Sequence, residues 1–202
     1  MYVNNNFSTK EMSKIVDANI NRELKYMSSD FNNQQKEALA LFKRRIYLEE
    51  VIEETISFNK KLSWENSNEN LNLTTTAEEL VGVYRLRSDI YKQMNYTKEF
   101  PDIIESLNLD DFDKTSAIIY YKKQQEITGT CRLIFDSEKK LPSEEKLCFD
   151  DLRDNYQIIG ELSRNMVKHK TKGLNMEFKY LMSGIHNVFN NNDINVTVFV
   201  IK

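Results

Sequence analysis

Several charged residues stand where a chain rarely places charge without a use for it. Arg87 falls on an apolar helical stripe, because Leu80, Tyr84, Tyr91 and Met94 share that side at 100° per residue. A cation there either snorkels to solvent or meets a carboxylate, since an unpaired buried charge is costly. Asp110 and Asp113, in Asp110-Asp111-Phe112-Asp113 just ahead of a strand pattern, are candidate partners. Glu161 stands in Glu161-Leu162-Ser163-Arg164 among strand-type residues, and a carboxylate in that setting needs a reason. The reason is either a functional role or a buried pair with Arg132. Further on, Lys168, Lys170 and Lys172 make a basic loop, and Gly173 opens a helix-patterned run. A glycine permits close backbone approach, and a following helix N-terminus offers N–H donors to phosphate. The loop therefore suits a phosphate-bearing ligand or an acidic partner protein, or it is simply solvated. His169 and His186 have no paired ligand, and Cys131 and Cys148 form no metal pattern, so no metal site is expected. No Ser-His-Asp order suggests a nucleophile.

The elements that would carry these residues are legible in outline. Ser8-x-x-Glu11 is a capping-box pattern opening a helix to about Met27, and a second helical stretch covers roughly Asn33 to Lys60. Trp64 to Thr75 is rich in Asn, Ser and Thr and is read as a linker, so residues 1–75 form a helical extension. Thr76-x-x-Glu79 is another capping box, starting a helix that reaches about Asn95. Ser116–Lys122 and Ile127–Phe135 are β-rich runs joined by a short polar turn, which predicts an antiparallel hairpin. Tyr156–Val167 reads as a strand, Gly173 to about Phe189 as a helix, Asn190–Asn195 as a turn and Val196–Ile201 as a last strand. This order suits an α/β or α+β sheet with helices packed on it, over residues 76–202.

Composition narrows the function classes. Lys and Arg number 28 against 31 Asp and Glu, a formal net charge of −3, so nothing in the balance favours nucleic acid. Met1 to Phe7 is polar and lacks the basic and apolar regions of a signal peptide. No apolar run approaches membrane-spanning length. The two cysteines are read as reduced, in a cytoplasmic protein, with a single bridge between them left open.

Four pieces stand in a particular order: Val83-Tyr84-Arg85-Leu86-Arg87 with Ile90-Tyr91, then Asp110-Asp111-Phe112-Asp113, then Thr128-Gly129-Thr130-Cys131-Arg132-Leu133-Ile134, then Glu161-Leu162-Ser163-Arg164. The series resembles the acyl-homoserine lactone synthases and the N-acyl amino acid synthases, two branches of the GNAT acyltransferase superfamily. The resemblance covers roughly Thr76 to Lys202. It implies a GNAT-like mixed sheet flanked by helices. It also implies an ion-pair network beside the acceptor site, built from Arg87, Asp110, Asp113, Arg132 and Arg164. Glu161 is the implied general base, taking a proton from an amine that attacks an acyl thioester. The superfamily carries a bulge in this strand whose free N–H groups hold the thioester arm and polarise its carbonyl. Here that bulge is expected near Asn165–Val167, placing Ser163, Met166 and Val167 beside the substrate. Lys170, Lys172, Gly173 and Asn175 occupy the place of the superfamily's pyrophosphate loop. Lys stands there for Arg or Gln, and Asn for the last small residue, so coenzyme A and an acyl carrier protein are both candidate donors. No permanently bound cofactor is implied.

The chain departs from the pattern in two places. Relatives continue past Val196–Ile201 with another helix and closing strands, where many place a general-acid tyrosine. Here the fold is expected to lack those C-terminal strands. An uncovered apolar last strand is a pairing hazard that residues 1–75 or a second copy could cover. The usual acceptor-side tryptophan has Tyr96 as its nearest candidate, one residue off. Together with Val83–Arg87, this favours an amino acid acyltransferase over a lactone synthase acting on S-adenosylmethionine. A catalytically inactive acyltransferase-like binding module is the third reading.

Overall fold

The computed structural model describes residues 14, 18, 33–66, 68–104, 106–168 and 176–199. The chain divides into two compact units, Met1–Glu53 and Glu54–Lys202. The helix expected from Ser8 to Met27 lies outside the described residues, apart from Lys14 and Ala18, which are helical. Helix α1 (Asn33–Asn59) follows the sequence expectation and ends in the second unit.

The second unit is built on a five-stranded sheet in sequential order: β1 (Leu71–Leu73), β2 (Ser116–Lys123), β3 (Glu126–Phe135), β4 (Ile159–Val167) and β5 (Val196–Phe199). All neighbours are antiparallel except β4 and β5, which run parallel, with Ile159 beside Val196 and Leu162 beside Phe199. Helix α2 (Ala77–Gln93) covers one face and helix α4 (Met176–Asn191) the other. A short helix, α3 (Asp150–Asn155), and 3₁₀ turns at Asp111–Thr115 and Pro142–Glu145 fill the connections. The expected strand from Tyr156 starts at Ile159 instead, because α3 occupies the chain up to Asn155.

The helix-start signal at Thr76 works as its chemistry dictates. Thr76 Oγ1 accepts from the Glu79 N–H, and Glu79 Oε2 accepts from the Thr76 N–H, closing the capping box. On the expected stripe Leu80, Tyr84, Arg87 and Tyr91 are buried, but Met94 caps the helix in solvent at 53% exposure. The β2–β3 hairpin turns on Gln124 and Gln125, both at positive φ (49° and 68°), the backbone of a type I′ turn, which favours Asn and Gly.

Two features correct the reading of Trp64–Thr75 as a linker. Leu71–Leu73 pairs with β2, and the polar residues around it replace backbone partners. Asn192 bonds both the N–H and the carbonyl of Ser63, at 2.8 and 3.0 Å, and Asn187 does the same for Glu65. The segment is thus held against α4 by side-chain amides acting as a strand edge. Asn59 does likewise for β2, accepting from the Ile118 N–H and donating to the Ser116 carbonyl.

The α4 face of the sheet packs Leu71, Ala117, Ile119, Cys131 and Leu133 against Leu181, Ile185 and Val188. Gly184 sets how closely the helix approaches. A Cβ there would meet Ile119 at 3.1 Å, Leu71 at 3.2 Å and Trp64 at 3.3 Å, all core side chains with little room to move. Gly184→Val should therefore lower stability by about 1–3 kcal/mol through overpacking, despite the better helix propensity of valine. Urea denaturation checks this, and an unchanged midpoint would show that the core yields at this point. Both cysteines are free, Cys131 buried and Cys148 exposed, so no bridge joins them. Among the described residues no helix is long and apolar enough to cross a membrane.

Candidate active site

The residues of interest share the α2 face of the sheet because of strand register. Ile134 faces Glu161 and Arg132 faces Ser163, so alternation puts Arg132, Ile134, Glu161 and Ser163 on one side. Between Thr130 and Arg132 the register shifts. Arg164 and Asn165 of β4 oppose only Cys131 of β3, which is a β-bulge. Arg164 has φ +52°, the left-handed region that a branched or long residue enters only when its surroundings demand it. This extra residue turns Arg164 to the same face as Ser163. The bulge therefore lies at Arg164–Asn165, overlapping the start of the expected Asn165–Val167. Met166 and Val167 resume pairing with Thr130 and Gly129, and Val167 packs toward α4.

The bulge completes a network of three guanidiniums and two carboxylates. Arg87 Nη1 donates to both oxygens of Asp113 at 2.9 and 3.0 Å, with both side chains fully buried. Arg132 Nη1 donates to Asp113 Oδ1 at 2.9 Å and Asp110 Oδ1 at 2.5 Å, while its Nε donates to Ser163 Oγ at 2.9 Å. Arg164 Nη2 donates to Asp110 Oδ2 at 2.8 Å, and its Nη1 donates to the Tyr91 hydroxyl. The Arg164 guanidinium also lies 4.6 Å from the Phe100 ring centroid and 5.2 Å from that of Tyr91, where the ring faces attract a cation. The 3₁₀ turn at Asp111–Thr115 presents both aspartates, with Asp113 Oδ2 accepting from the Asp110 N–H and Asp110 Oδ1 from the Phe112 N–H.

Electrostatics follow from this packing. Burial alone would raise the Asp110 carboxyl, but the Arg132 and Arg164 guanidiniums outweigh it and hold it well below the ordinary range. Burial works against the charge of Arg132, and Asp110 and Asp113 more than restore it. The Cys131 thiol is pushed up by burial, which suits an inert core residue. Counting Arg87, Arg132 and Arg164 against Asp110 and Asp113 leaves one surplus positive charge, with Arg164 (11% exposed) and Asp110 (29%) at the open edge.

Glu161 is 6% exposed and stands one strand repeat, about 7 Å, from Ser163 on the same face. It does not pair with Arg132, the alternative raised from sequence. Its Oε2 accepts instead from the Ser143 N–H at 3.0 Å and the Ser143 hydroxyl at 2.7 Å. The reason is geometric: Arg132 is already engaged by Asp110, Asp113 and Ser163, and the Pro142–Glu145 turn arrives over Glu161 from the opposite end of β3.

Lys170, Lys172, Gly173 and Asn175 lie outside the described residues. Lys168 is described, and its ammonium bonds Glu126 across the hairpin end. A separate groove of about 420 Å³ runs between the first half of α2 and the hairpin, lined in part by Gly82, Arg85, Tyr120 and Lys168. Glu161 and the five network residues are not among its walls. Tyr120 donates to Glu79 there at 2.7 Å. No cluster of three or more metal-ligating side chains occurs among the described residues. Phe100 and Ser143 escaped the sequence reading: Phe100 lies in an irregular loop, and the contact between Ser143 and Glu161 spans 18 residues with no periodicity to mark it.

A mixed sheet with a bulged fourth strand, a parallel fifth and helices on both faces is the GNAT-like architecture. The N-acyl amino acid synthase FeeM family matches residues 82–202, and the chain belongs to it. Among solved structures the chain is similar to FeeM, an N-acyl amino acid synthase from uncultured soil microbes. The identity is 12% and the TM-score 0.51, over 65% of this chain and 70% of that one. It is also similar to the AHL synthase LasI, at 17% identity and TM-score 0.47 over 65% and 72% of the two chains. A third is glucosamine-6-phosphate N-acetyltransferase from Arabidopsis thaliana, at 9% identity and TM-score 0.39 over 66% and 84%. No curated protein matches the chain.

Proposed function

We propose that the protein is an N-acyltransferase that moves a fatty acyl group from a thioester, on an acyl carrier protein or coenzyme A, to the α-amine of an amino acid. The observation that carries this reading is the bulge at Arg164–Asn165. It turns Arg164 onto the face where strand alternation already places Arg132, Ser163 and Glu161, within a chain that belongs to the N-acyl amino acid synthase family. In the reaction the amine nitrogen attacks the thioester carbonyl. A C–N bond forms, the C–S bond breaks, and the products are an amide and a thiol. Glu161 accepts the amine proton, directly or through one water, and the departing sulfur receives a proton in turn. Backbone N–H groups freed by the bulge polarise the carbonyl as its oxygen gains charge. The Arg164 guanidinium, 11% exposed at the open edge of the network, supports an acceptor that carries a carboxylate.

The test is incubation of the purified chain with long-chain acyl carrier protein or acyl-coenzyme A and a panel of amino acids. Mass spectrometry would follow N-acyl product, and a thiol reagent would follow release. N-acyl amino acid formed one-for-one with free thiol is the expected result. A lactone formed from S-adenosylmethionine instead would move the chain to the other branch. Absence of product together with no thermal stabilisation by either donor would leave a non-catalytic relative, because a ligand that binds the native state must raise its stability.

A further inference from the structure

We infer that Ser143 is a positioning residue that fixes which oxygen of Glu161 takes the proton, an inference that rests on the acyl-transfer reading above. Both donors of Ser143, its N–H and its hydroxyl, go to the same atom, Oε2. That choice pins the carboxylate plane and leaves Oε1 uncommitted to Ser143. A buried carboxylate held for stability alone is normally paired with a cation. Here the neighbouring cation on the same face, Arg132, is directed to Asp110, Asp113 and Ser163. Glu161 is therefore buried and oriented, yet kept out of the adjacent ion-pair network.

The cradle around Ser143 is itself braced. Pro142 opens the 3₁₀ turn with its φ already fixed, and Leu141 packs with Ile134, Phe149 and Ile159. Glu144 reaches back to the Leu141 N–H at 2.7 Å, and Arg153 ties Glu144 to Asp136. These contacts brace the turn that presents the Ser143 donors. A general base gains from such restraint because a small misplacement of the reacting atom lowers the rate without weakening substrate binding.

The experiment compares Ser143→Ala, Ser143→Cys and Ser143→Thr with Glu161→Gln in the full chain. It reads kcat, the KM of donor and acceptor, and thermal stability. Ser143→Ala and the near-isosteric Ser143→Cys, a weak donor, should each lower kcat about tenfold through loss of one charge-assisted hydrogen bond, with both KM values held. Ser143→Thr restores the hydroxyl and should return kcat to within about twofold of the starting enzyme. If Ser143→Cys folds and turns over at the original kcat while Glu161→Gln does not, Ser143 plays no positioning part and the acyl-transfer reading stands. A rise in KM at constant kcat likewise overturns the proposal, by making the turn a binding wall. No acyl transfer by the unsubstituted chain would defeat the functional reading, and this inference with it.

Discussion

Asp113→Ala should cost about 3–5 kcal/mol of stability, more than any other single truncation in the charged cluster. Asp113 is fully buried, and its two oxygens accept four hydrogen bonds: two from Arg87, one from Arg132 and one from the Asp110 N–H. Removing it leaves the Arg87 guanidinium in the interior with no carboxylate among the described residues, where Nε and Nη2 of that group already lack a hydrogen-bond partner. The 3₁₀ turn at Asp111–Thr115 loses one of the two acceptors of its capping box in the same step. Most of the cost is thus stranded positive charge rather than the lost attraction itself. Urea denaturation of Asp113→Ala, followed by circular dichroism, reads the effect, and a loss below about 1 kcal/mol would mean that water or a rearranged Asp110 replaces the missing anion. The pair Lys139–Asp111 supplies the internal contrast. Its side chains are 60% and 47% exposed, and its removal should leave the midpoint almost unmoved.

The same cluster shows what a sequence can and cannot carry. Arg87 was legible because a cation on an apolar helical stripe must find an anion, and Asp110 and Asp113 were the acids at hand. The Thr76 cap and the β2–β3 hairpin were legible because their chemistry is local, spanning three or four residues. β1 was not. Three residues are too few to show a period of two, and the asparagines around it read as loop. Only in the fold do Asn59, Asn187 and Asn192 serve as substitutes for strand backbone. The bulge was expected near Asn165–Val167 and begins one residue earlier, at Arg164, since alternation along Glu161–Val167 does not say where an extra residue is inserted. What locates it is the partner strand, where Cys131 alone faces Arg164 and Asn165. The alternative reading of Glu161 as a buried pair with Arg132 failed for a related reason. Composition shows that two opposite charges are available, whereas register decides that Arg132 faces Ser163 and that Ile134 faces Glu161.

Glu161→Gln should lower kcat by about 10²–10⁴-fold while leaving the fold intact. Glutamine has the shape of glutamate, and its amide oxygen can accept the Ser143 N–H and hydroxyl as Oε2 does. The buried site then keeps its hydrogen bonds and loses a charge that no guanidinium of the network was bonded to, so the thermal midpoint should change little. The amide nitrogen takes the place of the uncommitted oxygen, and it has no lone pair able to accept the amine proton at neutral pH. Loss of turnover without loss of stability separates a base from a structural carboxylate, because a structural role would move the midpoint first. Full activity in Glu161→Gln would remove Glu161 from proton transfer. The carboxylate left at the open edge is Asp110, but it is held ionised by Arg132 and Arg164, which makes it a poor proton acceptor. In that case the amine would have to enter the reaction already deprotonated by solvent, and the rate should rise with pH along the titration of the free amino acid rather than with any group of the protein.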